Sequence, residues 1–299
     1  MTEEKKGVIF GLLAFFLWGF LPLYFSAINY FSPLELTAYR IIFSFLTLFL
    51  FLLSQRKFIS TFKSFVFHGH ISKLLTSTLF IATNWFLFVY AIEQKQVLQT
   101  SFGYFISPIV SIFLGIFILN EKITWIKSIA LLLSLFAVGL QAFSFQGFPW
   151  ISIVIGVTFS LYGLMRKYIH LGSIESVTFE TFILFFPSLI LLFRLESSNA
   201  RHYLQARNLD YILIFLSGLV TVLPMLFFSA SVRRLQITTI GFLQYISPSL
   251  QFIIATLILN ESLDFQRGIS FSIIWLACLI VACNSYIKRE TNFIEDRFA

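Results

Sequence analysis

Apolar runs separated by short polar connections repeat along the chain from Gly7 onward. Their lengths match the ~20 residues a helix needs to cross ~30 Å of hydrocarbon. Membrane-spanning strands would need ~10-residue segments of alternating polarity, whereas these runs are apolar on every side. The pattern predicts ten spanning helices at 7–29, 33–53, 73–92, 97–120, 123–143, 149–171, 176–194, 209–230, 237–260 and 264–287. Residues 7–34, 96–120 and 235–260 contain no charge at all. The stretch 128–165 is long enough for two spans, with "SFQGFP" as the turn and Pro149 at a helix start. The connections leave no room for an inserted soluble domain.

The pattern also repeats on a longer scale. "FISPIVSIFLGIFILNEK" at 105–122 returns as "YISPSLQFIIATLILNES" at 245–262, an offset of 140. Phe88/Phe228, Gln96/Gln236, Phe102/Phe242, Ile129/Ile269 and Ala137/Ala277 are identical at that spacing. Upstream, "FFLWGF" (15–20) resembles "FSLYGL" (159–164) at an offset of 144. The expected organisation is two homologous five-helix units, 1–143 and 144–299, the second ending in a short cytoplasmic tail. Five is odd, so the second unit inserts upside down relative to the first. Inverted repeats of this kind are a recurrent transporter plan, with the substrate site near the midplane.

Composition agrees: 58% of the 299 residues are hydrophobic and 12% charged, against about 25% charged in soluble domains. The net charge of +7 invites a nucleic-acid partner until its distribution is seen. Lys5, Lys6, Arg56, Lys57, Lys63, Lys73, Lys122, Lys127, Arg166, Lys167, Arg233, Arg234, Lys288, Arg289 and Arg297 fall on one face. The other face receives only Lys95, Arg194, Arg201, Arg207 and Arg267. By the positive-inside rule both termini are cytoplasmic, and the basic residues need no nucleic acid. The first apolar run exceeds the ~7–15 residues of a secretory signal and lacks a cleavage site, so it reads as a retained span. Cys278 and Cys283 do not share a helix face, and His68 and His70 have no nearby Cys or carboxylate. No metal and no cofactor are expected, and no nucleotide-binding loop occurs.

The blocks "KKGVIFGLLAFFLWGFLPLYF", "NWFLFVYAI", "TSFGYFISPIVSIFLG", "LYGLMRK" and "TIGFLQYISPSLQFIIA" resemble RarD-type permeases. These belong to the EamA branch of the drug/metabolite transporter superfamily. The resemblance runs from about Lys6 to Tyr286. It implies an all-α, ten-helix permease of the bacterial inner membrane, in a subgroup that carries a "chloramphenicol-sensitive" label. This chain has Tyr39-Arg40 where the family carries His-Arg, and Ser107 where it carries Asn.

Several residues are candidates for the transport site. Pro108 and Pro248 sit 11 residues into their spans, about halfway through a ~30 Å core. Each proline deprives the carbonyl four residues back, Tyr104 or Gln244, of its donor. A kink or hinge lining a cavity is the functional reading, and a static kink is the structural one. Arg40 and Glu180 are charges well inside spans, where a functional role is the default hypothesis. They lie toward opposite membrane faces, so a mutual salt bridge is awkward, and snorkelling to those faces is the alternative. Trp18, its equivalent Tyr162, Asn84, Trp85, Tyr104, Gln244 and Tyr245 complete an aromatic, largely neutral cavity, with helix–helix contacts as the alternative role for each. The two Asn-Glu pairs, at 120–121 and 260–261, read as helix stops with Glu in the first turn of the next helix.

A transporter of a small metabolite or drug, with outward direction expected, is the leading functional class. The partners expected are the lipid bilayer and a small-molecule substrate, and the oligomeric state is left open, a monomer included. A channel-like or structural membrane protein is the alternative. A membrane enzyme ranks last, because the spans hold no cluster of nucleophile, base or metal ligands.

Overall fold

The computed structural model describes residues 1–28, 31–67, 71–94, 96–143, 147–197, 206–258 and 265–298. Among them are thirteen helices and no strand: α1 (Glu3–Gly19), α2 (Leu21–Ala27), α3 (Pro33–Ser54), α4 (Phe58–Phe67), α5 (Ile71–Glu93), α6 (Val97–Phe117), α7 (Trp125–Ala142), α8 (Trp150–Tyr168), α9 (Ser173–Ser197), α10 (Asn208–Val232), α11 (Ile237–Gln244), α12 (Ile246–Leu257) and α13 (Phe265–Phe298). Eight segments are long and apolar enough to cross a membrane by length and composition, α1 with α2 and α11 running into α12 among them. The apolar stretch Gly268–Asn284 of α13 and α8, whose last turn carries Arg166 and Lys167, complete ten crossings.

Two elements differ from the sequence expectation. The connection after the second span contains α4, an apolar helix whose Phe58 and Phe62 rings meet Phe49 at 4.9 Å and Phe182 at 5.1 Å. Ten residues are too few to span the core, so burial of that aromatic face against α3 and α9 explains the helix. At the other end, α13 continues to Phe298 rather than stopping near 287.

Helix starts follow local chemistry. Ser32 and Glu35 form a reciprocal capping box on α3, and Thr124 accepts the Lys127 N–H at the start of α7. Asn120 takes the left-handed conformation (φ 52°) after α6, and the Glu121 N–H closes on the Gly115 carbonyl at 2.9 Å. Glu121 itself corrects the expectation. Its side chain does not serve α7. Its two oxygens accept the Ile237 and Thr238 N–H groups at 2.7 and 2.9 Å, capping α11 in the other half of the chain. The first turn of α11 exposes unpaired N–H groups and a positive dipole end, which a carboxylate satisfies even from a remote segment. The second Asn-Glu pair lies outside the described residues, as do His68 and His70.

Packing repeats the sequence symmetry. α3 packs on α9, α6 on α11 and α7 on α13, each helix meeting its own counterpart. α1 packs on α10, as its counterpart α8 packs on α5. Small residues allow the closest approaches: a Cβ on Gly218 of α10 would lie 2.3 Å from the Phe43 carbonyl of α3. The same backbone-to-backbone contact brings Gly156 of α8 against the Gly103 carbonyl of α6.

The two "ISP" prolines are not equivalent. α6 runs unbroken through Pro108. Its counterpart breaks at Tyr245, immediately after Gln244, the residue whose carbonyl Pro248 cannot serve. A third proline causes a break that the sequence reading did not anticipate. α1 and α2 part at Phe20, and Pro22 withholds the N–H due to the Trp18 carbonyl.

Candidate functional site

The two broken crossings flank a cavity of about 310 Å³. Its walls come from α1, α2, α3, α5 and α6 of the first half and α8, α10, α11 and α12 of the second. It reaches from mid-bundle toward the face where α2 ends and α3 and α6 begin, past Pro22, Phe25, Thr100 and Ser101. Toward the opposite face the bundle closes over apolar side chains. Phe15, Tyr162, Phe228, Val232, Leu235, Ile237 and Ile240 form one buried apolar cluster.

Aromatic rings make the cavity floor. Trp18 lies 5.6 Å from Phe159 and 5.5 Å from Phe228, and Tyr162 stacks on Phe228 at 5.8 Å. Offset and edge-on contacts of this kind hold large flat side chains in fixed orientation. Polar groups are few and tied in place. Buried Asn84 donates to the Ile155 carbonyl at 2.8 Å and accepts the Tyr104 hydroxyl at 3.1 Å. Gln244 accepts from Ser107 at 3.2 Å and donates to Ser111 at 3.0 Å, while Ser160 donates to the Ser107 carbonyl at 2.9 Å. This cluster joins α6, α8 and α11 beside Pro108. Gln251 donates to the Trp18 carbonyl at 3.1 Å. It thereby replaces the N–H that Pro22 withholds.

Of the sequence candidates, Trp18, Arg40, Asn84, Trp85, Tyr104, Tyr162, Gln244 and Pro248 lie on the cavity wall. Tyr245 instead packs into an apolar cluster with Phe105 and Phe271, and Pro108 sits behind the wall, its carbonyl facing Gly241. Glu180 is 1% exposed and lies beneath the floor. Its partner is Arg166, whose Nη2 lies 3.4 Å from Oε2, at ion-pair distance. Ser77 donates to the other carboxylate oxygen at 2.6 Å, and Tyr162 donates to Oε2 at 3.2 Å while accepting from Arg166 Nε at 3.1 Å. Neither Glu180 nor Arg166 snorkels to a face; both are buried in protein. Sequence reasoning had placed Arg166 with Lys167 at the surface. Its i+4 spacing from Tyr162 is the signal that points it inward. Pro22, Ser101, Thr221, Ser247 and Gln251 of the wall were also missed, because single small polar residues in a span carry no distinguishing pattern.

The wall, among the described residues, holds no Asp, Glu, His, Cys or Lys. A general acid–base pair is not assembled there. The chemistry on offer is binding: flat aromatic surfaces, a handful of fixed amides and hydroxyls, and one guanidinium. The closed end is tied by contacts around the α10–α11 turn. Besides the Glu121 cap, Lys167 of α8 donates to the Val232 carbonyl at 3.2 Å and to the Leu235 carbonyl, Arg233 reaches the Leu171 carbonyl at 2.9 Å, and Arg234 pairs with Glu3 at 2.8 Å.

A ten-crossing helical bundle with a cavity between its halves is the architecture of a multi-pass membrane transporter. The chain belongs to the EamA-like transporter family, whose model matches twice, over residues 5–142 and 147–283. It is similar to the uncharacterized transporter YojE of Bacillus subtilis, 33% identical over 282 residues that cover 93% of this chain and 94% of that one. Protein RarD of Escherichia coli is 32% identical over 292 residues, 97% of this chain and 98% of its own. The chloramphenicol-sensitive protein RarD of Pseudomonas aeruginosa is 25% identical, covering 95% of this chain and 96% of that one. The chain is thus a RarD-type permease. A solved crystal structure superposes with a TM-score of 0.69 over 92% of this chain and 96% of its own, at 13% identity, and shares the fold.

Proposed function

We propose that the chain carries a small amphipathic molecule across a bacterial inner membrane by alternating access, with the cavity as its substrate site. The single observation that carries this reading is a cavity walled by both halves, 1–143 and 144–299, and closed at one end. A cavity at the interface of inverted repeats is where such carriers bind cargo. The basic residues of the connections support cytoplasmic termini, so the open end faces outward and the α10–α11 turn closes the cytoplasmic end. Export then requires this turn to release, admitting substrate from inside. A continuous pore is disfavoured by the packed cluster beneath the floor.

The test is counterflow with purified protein in sealed liposomes. A carrier gives saturable uptake that rises when unlabelled substrate is loaded inside; linear, non-saturating flux would favour the channel alternative. Proton coupling is assigned to Glu180, the acid buried among the crossings beneath the cavity. Under an imposed pH gradient, the Glu180→Gln protein that folds despite the stranded Arg166, as its retained counterflow shows, is expected to lose gradient-driven accumulation. Undiminished accumulation would leave facilitated uniport.

A further inference from the structure

We infer that the cavity selects a small organic anion with an aromatic or apolar body, and that Arg40 is the residue that binds its acidic group. The assignment rests on the cavity being the substrate site, and it adds the chemical class of the substrate.

Arg40 is the one charged side chain on the wall among the described residues. Its Nε donates to Thr221 Oγ1 at 3.1 Å, which fixes the plane of the guanidinium from α10. The guanidinium carbon stands 5.0 Å from the centre of the Phe25 ring and 5.8 Å from that of Trp85, and both rings also line the cavity. The ion pairs among the described residues are Lys6–Glu3, Arg166–Glu180, Arg207–Asp210 and Arg234–Glu3. Arg40 is in none of them. The acid one might have assigned to it, Glu180, is held by Arg166, Ser77 and Tyr162 below the floor.

The contrast between the two buried charges carries the inference. Glu180 and Arg166 neutralise each other, so that pair carries no net charge beneath the cavity. Arg40 presents a full positive charge, and Trp85 and Phe25 offset only part of its lost hydration through their ring faces. Guanidinium is planar, permanently charged and suited to bidentate pairing with a carboxylate, sulfonate or phosphate. An anion bound there would meet its counter-charge in a water-poor site, where such pairs are strong. The rest of the wall is neutral, with amides and hydroxyls set among apolar and aromatic side chains, and Trp18, Trp85, Tyr104 and Phe159 are available to stack on a flat body. A cation would meet the same guanidinium as a repulsive element, and a neutral amide would gain a hydrogen bond from it without the charge pairing. Anionic lipid headgroups share this chemistry and have to be distinguished from a free acid.

The experiment uses three probes with one ring system and three charges: indole-3-acetate, indole-3-acetamide and tryptamine. Binding to the purified full-length protein is read by thermal shift and titration calorimetry in phosphatidylcholine nanodiscs, and transport by counterflow in liposomes. The expected result is that the acid binds at least about tenfold more tightly than the amide, a difference of ~1.4 kcal/mol, and that the amine does not bind. Arg40→Lys is expected to keep part of the preference, and Arg40→Gln to bring the acid down to the level of the amide. Equal affinities, no binding by any probe, or an Arg40→Gln protein that keeps the preference overturns the assignment. If Arg40→Gln does not fold, the charge series on the unaltered protein decides alone. Phosphatidylglycerol nanodiscs supply the lipid arm: stabilisation by that lipid which indole-3-acetate cannot compete away overturns the free-acid assignment. Saturable but charge-blind counterflow removes the anion class and leaves the transport reading intact. Charge-selective binding without flux does the reverse.

Discussion

At the scale of single residues, the energetics centre on the Arg166–Glu180 pair. Both side chains are 1% exposed, so removing either one strands the other in a medium that cannot solvate it. Breaking a buried pair from one side costs about 3–5 kcal/mol, whereas exchanging both partners for apolar residues of similar size is often neutral. Arg166→Met alone is therefore expected to lower stability by about that amount, and Arg166→Met with Glu180→Met to recover most of it. A double-mutant cycle by thermal or SDS unfolding checks this, and additive losses would show that the two charges do not act as a pair. Glu180 was legible in the sequence as an intramembrane charge. Arg166 was not, because next to Lys167 at the end of a span it looks like an orienting surface charge. Only the unbroken helix through Tyr168 sets Arg166 one turn beyond Tyr162, facing inward.

At the scale of elements, long-range polar contacts repair what local sequence leaves open. Gln251 completes the Trp18 carbonyl that Pro22 leaves without a donor. Gln251→Leu removes the donor while keeping the volume. It is expected to cost about 1–3 kcal/mol, the penalty for an unsatisfied buried polar group, and Pro22→Ala should restore stability to the Gln251→Leu protein by returning the local N–H. Absence of that rescue would separate Gln251 from the break. Glu121 plays the same part for α11, and Glu121→Ala is expected to lose about 1–2 kcal/mol as a cap. Measured in liposomes, the Glu121→Ala protein is also expected to shift toward opening at its closed end. The Asn120 helix stop was readable from residue type. The destination of the Glu121 side chain was not, because nothing in the sequence near 121 indicates that α11 starts within reach.

At the scale of the whole molecule, the sequence disclosed most of the plan: ten crossings, two related units and an inverted second copy all follow from run length, the repeated "ISP" and "ILNE" strings, and an odd helix count. The α4 connection and the exact cavity wall lay beyond it, since both depend on which faces meet in space. The access direction is testable directly. In a chain with Cys278 and Cys283 replaced by serine, Ser101→Cys at the cavity mouth is expected to react with a membrane-impermeant thiol reagent added outside, and bound substrate to protect it. Labelling of Ser101→Cys only from the cytoplasmic side would reverse the assigned orientation. The asymmetry of the helix breaks has one more consequence. Phe20 and Tyr245, where the breaks fall, correspond through the internal offsets to Leu164 and Phe105, which sit in uninterrupted helices. If the halves trade conformations, the number of breaks stays fixed while their owners change. The state open to the other side would carry a straight helix from Ile237 to Leu257 and a severed α6, so amide exchange should slow around 245 and quicken around 105 in the same transition.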